Sequence, residues 1–144
     1  MTILGNLLWL ICGGFISGIG HIIAGIALCL TVIGIPFGFQ EIKIGLATFL
    51  PFGTEFVEYQ HANSPLYVVL NVVWLLTIGW AMILNHLIWA ALLGITVIGI
   101  PFAYQHVKLI PLATFPFGRD LVRVANQPVG TYGNYYPPPY VTPR

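Results

Sequence analysis

The chain has 144 residues, of which 58% are hydrophobic and only 6% charged, with a formal net charge of +1. A soluble domain carries about 25% charged residues, so this chain lacks the polar surface to remain in water, and its near-neutral charge gives no reason to expect nucleic acid as a partner. No Asp, Glu, Lys or Arg occurs between Met1 and Gln40, or between Glu58 and Lys108. Uncharged apolar runs longer than about 18 residues read as transmembrane helices, and neither run has the alternation of a membrane β-strand. The first run lacks a basic start and is too long for a signal peptide, so it is expected to be retained. Shifted by 65 residues against itself, the sequence agrees at 20 of the 52 positions that pair Asn6–Val57 with Asn71–Val122. The chain is a tandem duplication of one membrane unit.

In chain order, Ile3–Leu30 is the first span. Its length of about 40 Å exceeds a hydrocarbon core of about 30 Å, which implies tilt or a frayed end. Gly14, Gly18, His21 and Gly25 share one face at helical spacing. The three glycines predict a close helix contact there, between the two units or between subunits. Cys12 and Cys29 would lie about 25 Å apart on one helix, too far for a disulfide. Thr31–Phe37 then interrupts the helix, with Gly34 and Pro36 as its breakers. Non-helical backbone in lipid needs cover from protein or a wet cavity, so the stretch reads as an interior structural joint. Broken helices also build transport sites. Phe39–Leu50 opens with Gln40, Glu41 and Lys43. At about 18 Å it is too short to cross, and it reads as a re-entrant or interfacial helix ending in the turn Pro51-Phe52-Gly53.

Thr54–Pro65 reads as an exposed loop. Leu66–Ile95 is the second span, Thr96–Phe102 repeats the joint with Gly99 and Pro101, and Tyr104–Phe115 repeats the short helix, where Pro111 is expected to introduce a kink. The domain boundaries are 1–57 for the first unit, 58–65 for the linker, 66–123 for the second unit and 124–144 for the tail. Gln127–Arg144 holds five Pro and four Tyr. It reads as disordered or polyproline II, and its Pro-Pro-x-Tyr segment is of a kind that docks WW domains. If each unit crosses once, the units are inverted. The middle segment then carries one Lys/Arg and the C-terminal segment four, which puts both termini in the cytoplasm. Two crossings per unit would instead place Lys43 and Lys108 on the same side.

No catalytic motif, phosphate loop or metal-ligand spacing is present, so no enzyme activity, cofactor or metal is expected. What repeats is a set of polar groups at membrane depth: Asn6 and Asn71, His21 and His86, Gln40 and Gln105, Lys43 and Lys108. Such groups mark pathways. They also serve as hydrogen-bonding partners between helices, and lysines extend toward headgroups. The combination of I-G-I-P-F, Q-x-x-K and P-F-G in both halves resembles the YccF-type inner membrane component domain. That family comprises small bacterial membrane proteins, often with the domain in tandem, without an established activity. The resemblance implies a bacterial inner membrane location. The reading is an all-α polytopic membrane protein of two duplicated units, each one long span plus a short helix, forming a homo-oligomer in membrane lipid. Two functions fit: a small channel or transporter subunit, or a non-catalytic membrane scaffold.

Overall fold

The computed structural model describes residues 2–59 and 61–123; the expectations for the tail fall outside the described residues. Each apolar run forms one long helix. The first comprises α1 (Thr2–Trp9), a π-helical turn (Leu10–Gly14) and α2 (Phe15–Cys29), and the second α4 (Pro65–Trp74), a π-helical turn (Leu75–Gly79) and α5 (Trp80–Gly94). Of an 18-residue apolar stretch within each, only 33% in the first and 17% in the second is buried. The core helix of a soluble protein would be mostly covered, so these helices present their apolar sides to lipid. The first helix is kinked at Gly13, whose φ of +107° is left-handed. The second copy has Ile78 there, a β-branched residue that resists positive φ, and it passes through the turn without a left-handed residue.

Behind each long helix a shorter one folds back, α3 (Ile35–Phe49) along α2 and α6 (Ile100–Thr114) along α5. The joint makes this reversal, but it is not interior. Leu30, Val32 and Ile33 are 83–85% exposed, and Ile95, Val97 and Ile98 are similarly bare. The turn stands uncovered because it bonds its own backbone. The Thr31 hydroxyl donates to the Leu28 carbonyl and accepts from Gly34 N–H, both at 3.0 Å, and Thr96, Leu93 and Gly99 repeat the arrangement. Pro36 and Pro101 lie in the first turns of α3 and α6, where a missing N–H costs nothing. Pro111 sits inside α6 without ending it, and α6 has the same length as α3, 15 residues.

The glycine face also has a more local partner than expected. A Cβ on Gly25 would stand 2.8 Å from the Gly38 carbonyl oxygen, and one on Gly45 would stand 2.9 Å from that of Gly18. The seam therefore joins α2 to its own return helix α3, with Gly38 and Gly45 as the matching small residues. Gly14 packs under the Trp9 indole of its own helix.

The two units run in opposite directions. The Phe37 ring at the start of α3 lies 5.7 Å from Phe117 beyond the end of α6, and Phe52 beyond α3 lies 5.8 Å from Phe102 at the start of α6. Short antiparallel strands β1 (Thr54–Glu58) and β2 (Arg119–Arg123) pair across the units, with Phe56 opposite Leu121. These two are equivalent residues of the repeat, so a pseudo-two-fold axis passes between them. Thr54–Pro65 is thus not an exposed loop throughout. Its first five residues are a strand, Val57 and Ala62 are buried, and Glu58 pairs with Arg119 at 3.1 Å. The fold is mostly helical, with this two-stranded sheet added.

Candidate functional site

The repeated asparagines and lysines are committed to structure. Asn6 clamps both the N–H and the carbonyl of Phe52, and Asn71 does the same to Phe117. Trp9 and Trp74, both fully buried, donate their indole N–H to the carbonyls of Thr48 and Ala113 at 2.6 and 2.7 Å. These bonds tie the start of each long helix to the end of its return helix. The lysines do not extend toward headgroups. The Lys43 ammonium donates to the carbonyls of Pro116 and Arg119 at 2.7 and 2.8 Å, and that of Lys108 donates to the carbonyls of Pro51 and Thr54. Each lysine caps the Pro-Phe-Gly corner of the opposite unit, where a tight turn leaves carbonyls with no strand or helix partner. Gln40 and Gln105 keep their carbonyl oxygens buried without a partner among the described residues, and no hydrogen bond joins them to the histidines.

His21 and His86 behave differently. Equivalent by the repeat, they stack across the pseudo-two-fold axis with ring centroids 5.3 Å apart. Each meets a second titratable side chain from its own unit's return helix. His21 Nδ1 lies 2.9 Å from Glu41 Oε1, and His86 Nδ1 lies 3.1 Å from His106 Nδ1. One proton between the two facing nitrogens satisfies the second pair, since one ring must donate and the other accept. His106 is further held between Trp9 at 4.4 Å and Trp89 at 6.1 Å. The result is a row, His106–His86–His21–Glu41, carried by α6, α5, α2 and α3 in turn. All four residues are at most 3% exposed. His21 Nε2, His86 Nε2, His106 Nε2 and Glu41 Oε2 have no hydrogen-bond partner among the described residues.

Glu41 and His106 were not among the residues singled out by sequence. The signal was nonetheless present. Each stands 20 residues after the histidine it meets, and the 65-residue shift lays one on the other. An acid in one copy and an imidazole in the other is the single difference that makes the row asymmetric. Imidazoles and a carboxylate are metal-ligand types, yet among the described residues no three of them converge on a point where an ion could sit.

Beside the row lies a half-open cleft of about 320 Å³. It is lined by His21 and Glu41 together with Met82, Trp89 and Ile16. Asn85 crosses its rim to donate to the Ser17 hydroxyl at 2.8 Å.

Two apolar helices bared to lipid, their folded-back partners and a duplicated unit define a small multi-pass helical membrane protein. The family model of the YccF inner membrane component domain matches twice, over residues 4–54 and 69–119. The chain therefore belongs to that family, and it is an inner membrane protein. It is 27% identical over 127 residues to Inner membrane protein YccF of Escherichia coli (strain K12), covering 83% of this chain and 86% of that protein. The similarity to Inner membrane protein YccF of Shigella flexneri has the same extent. No solved structure matches the chain.

Proposed function

We propose that this protein is a non-enzymatic membrane transport subunit whose His106–His86–His21–Glu41 row takes up and passes protons. The observation that carries the reading is the row itself: four titratable side chains in contact, buried in a protein whose repeated asparagines and lysines are spent on holding backbone. Intramembrane ionisable residues are expensive to keep, and they mark ion and proton paths. A purely structural contact between these helices would be served as well by an apolar pair, since buried ionisable pairs add little net stability. Imidazoles suit the task because each ring can accept a proton at one nitrogen while releasing one from the other.

The test is proton movement in proteoliposomes loaded with a pH-sensitive dye, driven by a potassium diffusion potential. Flux above that of protein-free vesicles, abolished in Glu41→Gln, supports the reading. Wild-type vesicles no leakier than empty ones refute it and leave the scaffold role.

A further inference from the structure

We infer that the cleft beside Glu41 is a binding site for a monovalent organic cation with an apolar body, which it takes in place of a proton. The inference rests on the proton-handling reading of the same row and names the ligand class that the row serves.

Three features of the cleft point to this chemistry. The first is charge. Glu41, whose side chain is among those lining the cleft, is itself fully buried, with Oε1 on His21 and Oε2 without a partner among the described residues. A buried carboxylate needs a compensating positive charge nearby. One proton on the His21–Glu41 pair makes the pair neutral. A cation over Glu41, with that proton gone, leaves the same neutral total. The second feature is the wall. Trp89, of the side-chain type that attracts cations most strongly, is among the lining residues, and Met82 adds a polarisable, adaptable surface. The third is size. A cleft of about 320 Å³ lies at the lower end of the roughly 300–1,000 Å³ of small-molecule sites, too roomy for a bare metal ion and suited to an amine with an aromatic or branched body. The second unit has no carboxylate at the matching position. His106 stands where Glu41 does, and the ring is held between Trp9 and Trp89, so the asymmetry of the row confines the cation to one side of the pseudo-two-fold axis.

The exchange balances simply. The cation enters from solution or lipid, one proton leaves the His21–Glu41 pair to the buffer, and no bond other than that to the proton changes. The titratable groups that face Glu41 are His21 from α2 and, beyond it, His86 from α5 and His106 from α6. Lys43 on its own helix is engaged with the carbonyls of Pro116 and Arg119.

The probe is benzyltrimethylammonium, a fixed cation that carries no proton, added to the full chain in lipid nanodiscs. Calorimetry reads binding, and an indicator in weakly buffered solution reads proton release. The inference predicts saturable binding, release of protons on binding, and an affinity that falls about tenfold for each unit of acidification once the pair is protonated. Glu41→Gln, which keeps shape and hydrogen bonding, weakens binding by at least about 30-fold. Thr77→Val, remote from the cleft, leaves it unchanged. The wild-type pH dependence needs no variant, so a misfolded Glu41→Gln protein does not rescue the idea. Absence of saturable binding, binding without proton release, or unchanged affinity in a folded Glu41→Gln protein each overturns it. Binding with proton release but no proton flux in vesicles upholds this site and sinks the transport reading. Flux without binding does the reverse.

Discussion

Gly25→Ala and Gly20→Ala are the same substitution on the same helix, five residues apart, and they should move stability in opposite directions. A Cβ at Gly25 would stand 2.6 Å from Ile42 Cγ1, 2.8 Å from the Gly38 carbonyl oxygen and 2.9 Å from Ile42 N. Two of these are backbone atoms that cannot swing aside, and an ordinary carbon–oxygen approach is about 3.3 Å. The α2–α3 seam must open by roughly 0.5 Å along rigid helices. Overpacking of this kind costs about 2–3 kcal/mol at its upper end, against a gain of about 1 kcal/mol from replacing glycine within a helix. The net loss is about 1–2 kcal/mol. At Gly20 a Cβ meets nothing within 4 Å, so only the gain of up to about 1 kcal/mol remains. Thermal unfolding in detergent should show a midpoint lowered on the order of 2–8 °C for Gly25→Ala and a slight rise for Gly20→Ala. Gly18→Ala should fall between them, because its nearest neighbour is the edge of the Phe49 ring at 3.0 Å, which can rotate away. Equal midpoints for the Gly25 and Gly20 variants would refute the seam.

Lys43→Met removes the donor from two carbonyls and should cost about 2–4 kcal/mol in the same melt; a lysine that merely reached for headgroups would be replaced at no cost. Pro36→Ala should be tolerated within about 1 kcal/mol, because an alanine fits the first turn of a helix. Gly34→Ala should lower yield sharply, since its Cβ would overlap the Leu28 carbonyl oxygen; the reverse order would show that the proline makes the turn. In a Cys12→Ala, Cys29→Ala background, cysteines replacing Ile3 and Asn63 sit at opposite ends of the antiparallel units. They should label from opposite sides of the membrane, and labelling of both from one side would contradict a single crossing per unit.

The duplication and the long spans were legible because both depend on local pattern: charge-free length, and seven identical residues around each joint. The place of the joint was not. A sequence shows that the helix must stop at Gly34 and Pro36, but not that the Thr31 hydroxyl lets the stopped backbone face outward unaided. The strands were missed for a different reason. Thr54–Glu58 is five residues with two acids, and its pairing with Arg119–Arg123 depends on the antiparallel meeting of the two units. Long-range geometry also hid the real use of Lys43 and Lys108, whose partners lie 73 and 57 residues away. Of the row, His21 and His86 were visible as repeated imidazoles in apolar helices. Glu41 and His106 were visible as a position where the repeats differ, but their meeting with the histidines depends on how each return helix folds back, which no local pattern shows.

The account stands or falls on proton movement through the row, and the direct measurement is the initial rate of potential-driven proton flux in proteoliposomes for Glu41→Gln, His21→Gln, His86→Gln and His106→Gln beside the parent and Thr77→Val. If the row passes protons, each of the four should lose at least about 100-fold of the protein-dependent rate, while the Thr77 variant keeps it. Parental flux in any correctly assembled row variant would contradict the account.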